Sequence, residues 1–155
     1  MKVLQKIIFY SWLFGAVLFA AANTQAQEKT AQDHITEGTT FFKKKQYDKA
    51  IESYTKAIQQ NPNFFEAYNN RGIAYKAINE YDKAFDDFNK ALEINDKDPN
   101  AYISRGVIYT HKQQYDKAFD DFKKAVDLAP KNADAYYGLG NIYYQKKQSV
   151  CYKTF

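Results

Sequence analysis

The string Tyr-Asp-Lys-Ala occurs three times, at Tyr47–Ala50, Tyr81–Ala84 and Tyr115–Ala118, and each step is 34 residues. Other columns keep the same step. Gly38, Gly72, Gly106 and Gly140 form one; Phe41, Tyr75, Tyr109 and Tyr143 another; Tyr54, Phe88 and Phe122 a third; Ala57, Ala91 and Ala125 a fourth. A chain with this many columns in register is an array of one supersecondary unit, and no single unit can bury its own apolar side. Within a unit, small and apolar residues recur at steps of three and four, as in Tyr68, Gly72, Tyr75 and Ala84, Phe88, Ala91. That spacing predicts two amphipathic helices per unit. Gly72 and Ala84 are expected where the two helices approach, with Tyr75 and Phe88 filling space beside the crossing. Asp82 is expected in the first turn of a second helix, where its charge suits the dipole. Pro62 and Pro130 end units because proline cannot continue a helix.

The spacing resembles the tetratricopeptide repeat, whose pattern is an aromatic-x2-Leu-Gly-x2-Tyr, then Ala-x3-Phe, then Pro. The units frame as 31–64, 65–98, 99–132 and 133 onward. The second reads Tyr68-x2-Arg71-Gly72-x2-Tyr75 and Ala84-x3-Phe88; the third reads Tyr102-x2-Arg105-Gly106-x2-Tyr109 and Ala118-x3-Phe122. His34 takes the leading aromatic slot of the first unit, with Gly38 and Ala50 in the small-residue slots. The resemblance implies an all-α fold, a right-handed superhelical solenoid of helix-turn-helix hairpins.

Arg71 and Arg105 stand where the family usually has Leu. Both units carry Asp sixteen residues later, at Asp87 and Asp121, whereas the first unit has Glu37 and Ser53 in the two positions. Because Arg and Asp come and go together, an ion pair within each unit is expected.

The amino-terminal 26 residues read as a leader. Lys2 and Lys6 precede an apolar stretch from Ile7 to Ala22, and small residues follow it. The stretch is shorter than the ~20 residues of a spanning helix, so cleavage before Gln27 is expected, with cleavage after Ala22 as the alternative. The chain is then exported, periplasmic or secreted. The other reading is an anchor formed by residues 7–22, the one membrane contact foreseen. Residues 27–30 form a short linker.

With Lys2 and Lys6 set aside, 20 of the 22 basic residues remain and nearly balance the 18 acidic ones, which argues against a nucleic-acid partner. Catalysis is not expected either. The two histidines, His34 and His111, have no metal-ligand spacing, and no nucleophile or phosphate-loop motif is present. Carboxylate pairs such as Asp86-Asp87 recur with the unit, as architecture does. No cofactor or metal is foreseen.

In the resembled family, the stacked first helices line a concave surface that holds a protein or peptide partner. By unit position, that surface would draw on Ile35, Thr39 and Phe42; on Glu66, Asn69, Asn70, Ile73 and Lys76; on Asn100, Ile103, Ser104, Val107 and Thr110; and on Asp134, Tyr137, Asn141 and Tyr144. One subfamily clamps the carboxylate of a chaperone tail with Lys, Arg and Asn. The slots here are Ile35, Thr39, Asn70, Asn100 and Ser104, so only Asn70 matches and the cations are missing. Moving the frame by one unit gives Asn69, Ile73, Ser104, Asp134 and Gly138, which also lacks them. Chaperone-tail binding is therefore disfavoured.

The fourth unit holds its pattern through Tyr136-x2-Leu139-Gly140-x2-Tyr143, and a first helix is expected over 133–148. Where Tyr-Asp-Lys-Ala should follow, the chain reads Ser149-Val150-Cys151-Tyr152. Residues 149–155 thus look foreign to the repeat, as a frame shift or truncation would leave them; a natural capping helix is the alternative. An unfinished unit predicts exposed apolar surface and self-association.

Overall fold

A computed structural model of the chain describes residues 29–153, with side chains through Lys147; the leader 1–26 and the side chains of the 149–155 tail lie outside it. Among the described residues there are seven helices and no strand. They are α1 Ala31–Lys43, α2 Tyr47–Gln60, α3 Phe65–Ala77, α4 Tyr81–Ile94, α5 Pro99–His111, α6 Tyr115–Leu128 and α7 Ala133–Lys153. The first helix of each unit thus starts every 34 residues. No described helix is long and apolar enough to cross a membrane.

The starts have local causes. Thr30 caps α1 in a capping box: its hydroxyl accepts from the Asp33 amide, and the Asp33 carboxylate accepts from the Thr30 amide at 2.8 Å. Asp98 caps α5 by accepting from the Asn100 amide, and Pro99 occupies the first turn, where a missing N–H costs nothing. This explains why the second unit has Asp96 at the usual proline slot: its proline opens the next helix instead.

Each hairpin turns through a non-glycine residue in the left-handed region. Lys45, Asn79 and Gln113 have φ of 59, 63 and 58°. The amide after each bonds back to the carbonyl five residues earlier: Gln46 to Phe41, Glu80 to Tyr75, Gln114 to Tyr109. That is the Schellman closure, which usually employs glycine. The strain of a side chain there, of order 1–2 kcal/mol, is sustained because the second helix packs straight back onto the first. The fourth copy of this position is Lys147. There α7 does not turn but runs on as helix to Lys153, past the expected end at 148. With no Tyr-Asp-Lys-Ala helix to pack back, nothing offsets the strain of the turn.

The core follows the small-residue columns. Ala50, Ala84 and Ala118 are completely buried, as are Phe88, Ile108 and Ile142. The aromatic rings sit directly over the glycines rather than beside them. A Cβ on Gly72 would lie 2.8 Å from Phe88 Cε1, one on Gly38 2.5 Å from Tyr54 Cε1, and one on Gly106 3.1 Å from Phe122 Cε1. Tyr75 and Tyr109 are half-buried at the edge of this packing. Gly140 departs from its column: nothing described lies within 4 Å of where its Cβ would be, because no second helix covers it. The glycine of α7 that packs closely is Gly138, against the ring of Phe122 from the preceding unit.

Candidate peptide-binding groove

The arginines set the spacing of the stack. Arg71 Nε and Nη2 donate to Asp87 Oδ2 and Oδ1 at 2.8 and 2.7 Å, a two-pronged pair between α3 and α4. Its third nitrogen, Nη1, donates to Thr55 Oγ1 at 3.0 Å on α2 of the preceding unit. Arg105 repeats the arrangement: 2.8 and 2.7 Å to Asp121, and 2.9 Å from Nη1 to Asn89 Oδ1 on α4. Tyr68 and Tyr75 flank Arg71, and Tyr102 and Tyr109 flank Arg105, with ring centroids 5.6–5.9 Å away. Asp87 and Asp121 are buried. Burial pushes the Asp87 carboxyl up from its ordinary value, against the pull of Arg71, whereas the hydrogen bond to Asp121 raises the Arg105 guanidinium. The ion pairs were legible from sequence. The link to the preceding unit was not, although its signal was there: Thr55 and Asn89 stand sixteen residues before the arginines, and Lys123 and Leu139 break the series together.

The first helices of units two to four meet in a cavity of about 550 Å³. Ile103, Val107, Thr110 and His111 of α5 form one wall, and Asp134, Tyr137, Gly138 and Asn141 of α7 the other; Phe122 contributes to the lining and Lys76 reaches in from α3. Lys76, Ile103, Val107, Tyr137 and Asn141 of the expected concave set are therefore brought together, with Thr110 and Asp134. Tyr137 is 79% exposed and Val107 40%, so the apolar lining is open. Lys76 is half-buried, and no carboxylate lies within ion-pair distance among the described residues. Burial accordingly lowers its ammonium from the ordinary lysine value.

The other expected positions lie elsewhere. Phe42 packs on the first unit's core, 5.3 Å from the Tyr47 ring. Ile73 packs beside Phe88. Ser104 is buried and unavailable to a partner. Ile35 is likewise buried. Asn70 is half-buried on α3; Asn100 is exposed at the start of α5, and Tyr144 is exposed late in α7. Asn69 Oδ1 is buried without a hydrogen-bond partner. Sequence reasoning passed over His111, which stacks on Tyr81 at 4.0 Å and edges the cavity. Its cue was position alone, next to Thr110 at the end of α5. His34 is half-buried, 3.6 Å from Glu37.

Models of the tetratricopeptide repeat match residues 38–79 and 106–147 together, and further ones match 65–98 and 88–120. The chain belongs to the tetratricopeptide repeat family. Several solved repeats of the family share its fold. The first such domain of Spaghetti (RPAP3) bound to HSP90 peptide SRMEEVD is 27% identical, with a TM-score of 0.75 over 80% of this chain and 98% of that one. The second domain of human RPAP3, in complex with HSP70 peptide SGPTIEEVD, is 30% identical, with a TM-score of 0.69 over 73% and 94%. Among curated proteins, Hsp70-Hsp90 organizing protein 1 of Arabidopsis thaliana is 43% identical over 47 residues. That stretch is 30% of this chain and only 8% of the plant protein. The tetratricopeptide fold is thus shared along most of the described array, and the similarity to the plant protein is confined to a short stretch.

Proposed function

We propose that the chain is a non-catalytic scaffold that holds an extended peptide segment in the groove between α5 and α7, with an acidic side chain of the segment on Lys76. The observation that carries the reading is the unpaired, half-buried Lys76 at the edge of an open apolar groove. A partly desolvated ammonium without a counterion favours an anion. The Ile103, Val107 and Tyr137 surface beside it suits an apolar neighbour on the same segment, and Asn141 offers both a donor and an acceptor to its backbone. Peptide complexes of the similar RPAP3 domains support the class of ligand. The carboxylate-clamp arrangement is not invoked, because its slots hold the buried Ile35 and Ser104 and no cation.

The reading is tested by probing an array of random-sequence heptapeptides with the full chain, SRMEEVD and its Gln-for-Glu counterpart included. Peptides carrying an acid near an apolar residue are expected to be retained. Val107→Glu should abolish retention and Lys76→Ala should cut it by roughly ten- to hundredfold, one charge-assisted contact being worth roughly 1.5–3 kcal/mol. Retention that neither substitution changes would refute the groove.

The amino-terminal stretch leads us to place this scaffold outside the cytoplasm, with residues 1–26 as a removable leader. Amino-terminal sequencing from the native host is expected to begin at Gln27; a start at Met1 overturns cleavage and leaves the anchored form.

A further inference from the structure

In units one to three, the first-helix glycine is covered by a ring from its own second helix. In α7 the same side is more open among the described residues, although Tyr143 meets Phe119 edge-on and Leu139 packs on the core of the preceding unit. Gly140 has no described atom near its Cβ direction, and Tyr136 and Tyr143 are 51% and 61% exposed. Their counterparts Tyr68, Tyr75, Tyr102 and Tyr109 are half-buried around an arginine. Leu139 replaces that arginine, so the four residues form an uncharged aromatic and aliphatic face at the end of the stack.

We propose that this face binds its own copy, α7 against α7 antiparallel about a twofold axis beside Gly140. The face is self-complementary. Tyr136 and Tyr143 lie three or four residues to either side of the Leu139–Gly140 step, so the twofold sets Tyr136 of one copy against Tyr143 of the other. Each Gly140 then faces Gly140 of the other copy, and the paired tyrosine rings flank the crossing on either side. A helix of the α4 or α6 type fits less well. Those helices carry Asp87 and Asp121 toward an arginine, and against Leu139 that carboxylate would be buried without a cation. None of the four face residues lines the groove, so pairing leaves it open.

Close crossing at a glycine brings backbones within disulfide range, Cα separations of roughly 4.4–6.8 Å. The test is therefore mild oxidation of the full chain carrying Cys151→Ser and Gly140→Cys, beside a Cys151→Ser, Lys117→Cys control. The first is expected to convert mainly to a covalent dimer and the control to stay single. Adding Tyr136→Glu and Tyr143→Glu should lower the cross-linked fraction at least tenfold, while Val107→Glu should leave it unchanged. Three results overturn the proposal: equal cross-linking of Gly140→Cys and the control, which would point to association through another region; cross-linking indifferent to the two Glu substitutions; or a single chain that binds a labelled peptide of residues 115–128 at this face, showing a repeat-type helix as the occupant. Far-ultraviolet circular dichroism of each variant confirms that the helices are intact.

Discussion

Replacing the four first-helix glycines by alanine one at a time gives opposite signs from one sequence column. Alanine gains about 0.5–1 kcal/mol over glycine inside a helix. Against that stands the space each methyl meets. At Gly38 it would lie 2.5 Å from Tyr54 Cε1 and 2.7 Å from Cδ1, and Tyr54 is only 2% exposed, so its ring has no free direction to turn. At Gly72 the distances to Phe88 are 2.8 and 3.1 Å, and Phe88 is fully buried. Overpacking of this kind costs about 1–3 kcal/mol, so both changes should destabilise by about 1–2 kcal/mol after the helix gain is subtracted. At Gly106 the approach to Phe122 relaxes to 3.1–3.3 Å, and the two effects should nearly cancel. At Gly140 nothing opposes the gain, and α7 of the single chain should be stabilised by about 0.5–1 kcal/mol. Urea midpoints rank the first three. Hydrogen exchange of the α7 amides, at dilution where copies do not meet, reads the fourth. Equal shifts at Gly72 and Gly140 would refute the claim that the second-helix ring sets the need for glycine.

Three further outcomes follow from the same geometry. Arg71→Met should cost about 3 kcal/mol because it leaves the buried Asp87 unpaired, and a cycle with Asp87→Leu should show coupling above about 1 kcal/mol; additive losses in urea unfolding would dismiss the pair. Gln113→Gly should raise stability by about 1 kcal/mol by relieving the left-handed turn, and a lower midpoint would show that the side chain supports the turn. The hydrogen bond from the Thr30 amide holds the Asp33 carboxylate below its ordinary value, with the Thr30 hydroxyl adding to it. The folded value is the lower one, so this stabilisation is present above the ordinary carboxylate range and is lost as pH falls through the depressed value. The melting difference between the chain and Asp33→Ala should accordingly shrink on acidification, and a difference constant with pH would contradict the capping box.

The repeat made the helices, their 34-residue spacing and the Arg–Asp pairs legible, because each is written into columns that recur in register. Two kinds of feature escaped. One depends on neighbours in the stack. Arg71 Nη1 reaching Thr55 is a contact between units, and a unit-by-unit reading sees only what repeats inside the unit. Burial of Ser104 also escaped: its slot in the single helix reads as concave, yet in the stack the side chain is buried. The other kind depends on an absent neighbour. Gly140 and Lys147 carry the column positions of a hairpin, but close approach and the left-handed turn both require the second helix. Without it, the glycine stays uncovered and α7 continues straight. Column membership therefore predicts a residue's role only while the whole unit is present.

The arginine links bear directly on the groove. In units two and three, one guanidinium joins three helices: its own first helix, its own second helix and the second helix before it. None of the residues in those contacts lines the cavity. The stack is thus tied together by side chains outside the groove lining, and α3 and α5 keep their spacing without spending groove side chains on holding it. The fourth unit lacks this tie, since Leu139 replaces the arginine and Lys123 the preceding acceptor. The α7 wall of the groove, with Tyr137 and Asn141, is held instead by Ile142, the Gly138–Phe122 contact, the edge-on Tyr143–Phe119 rings and the Lys146–Asp116 ion pair. The two walls of the groove are thus held by different means, a guanidinium link at α5 and apolar contacts with one ion pair at α7.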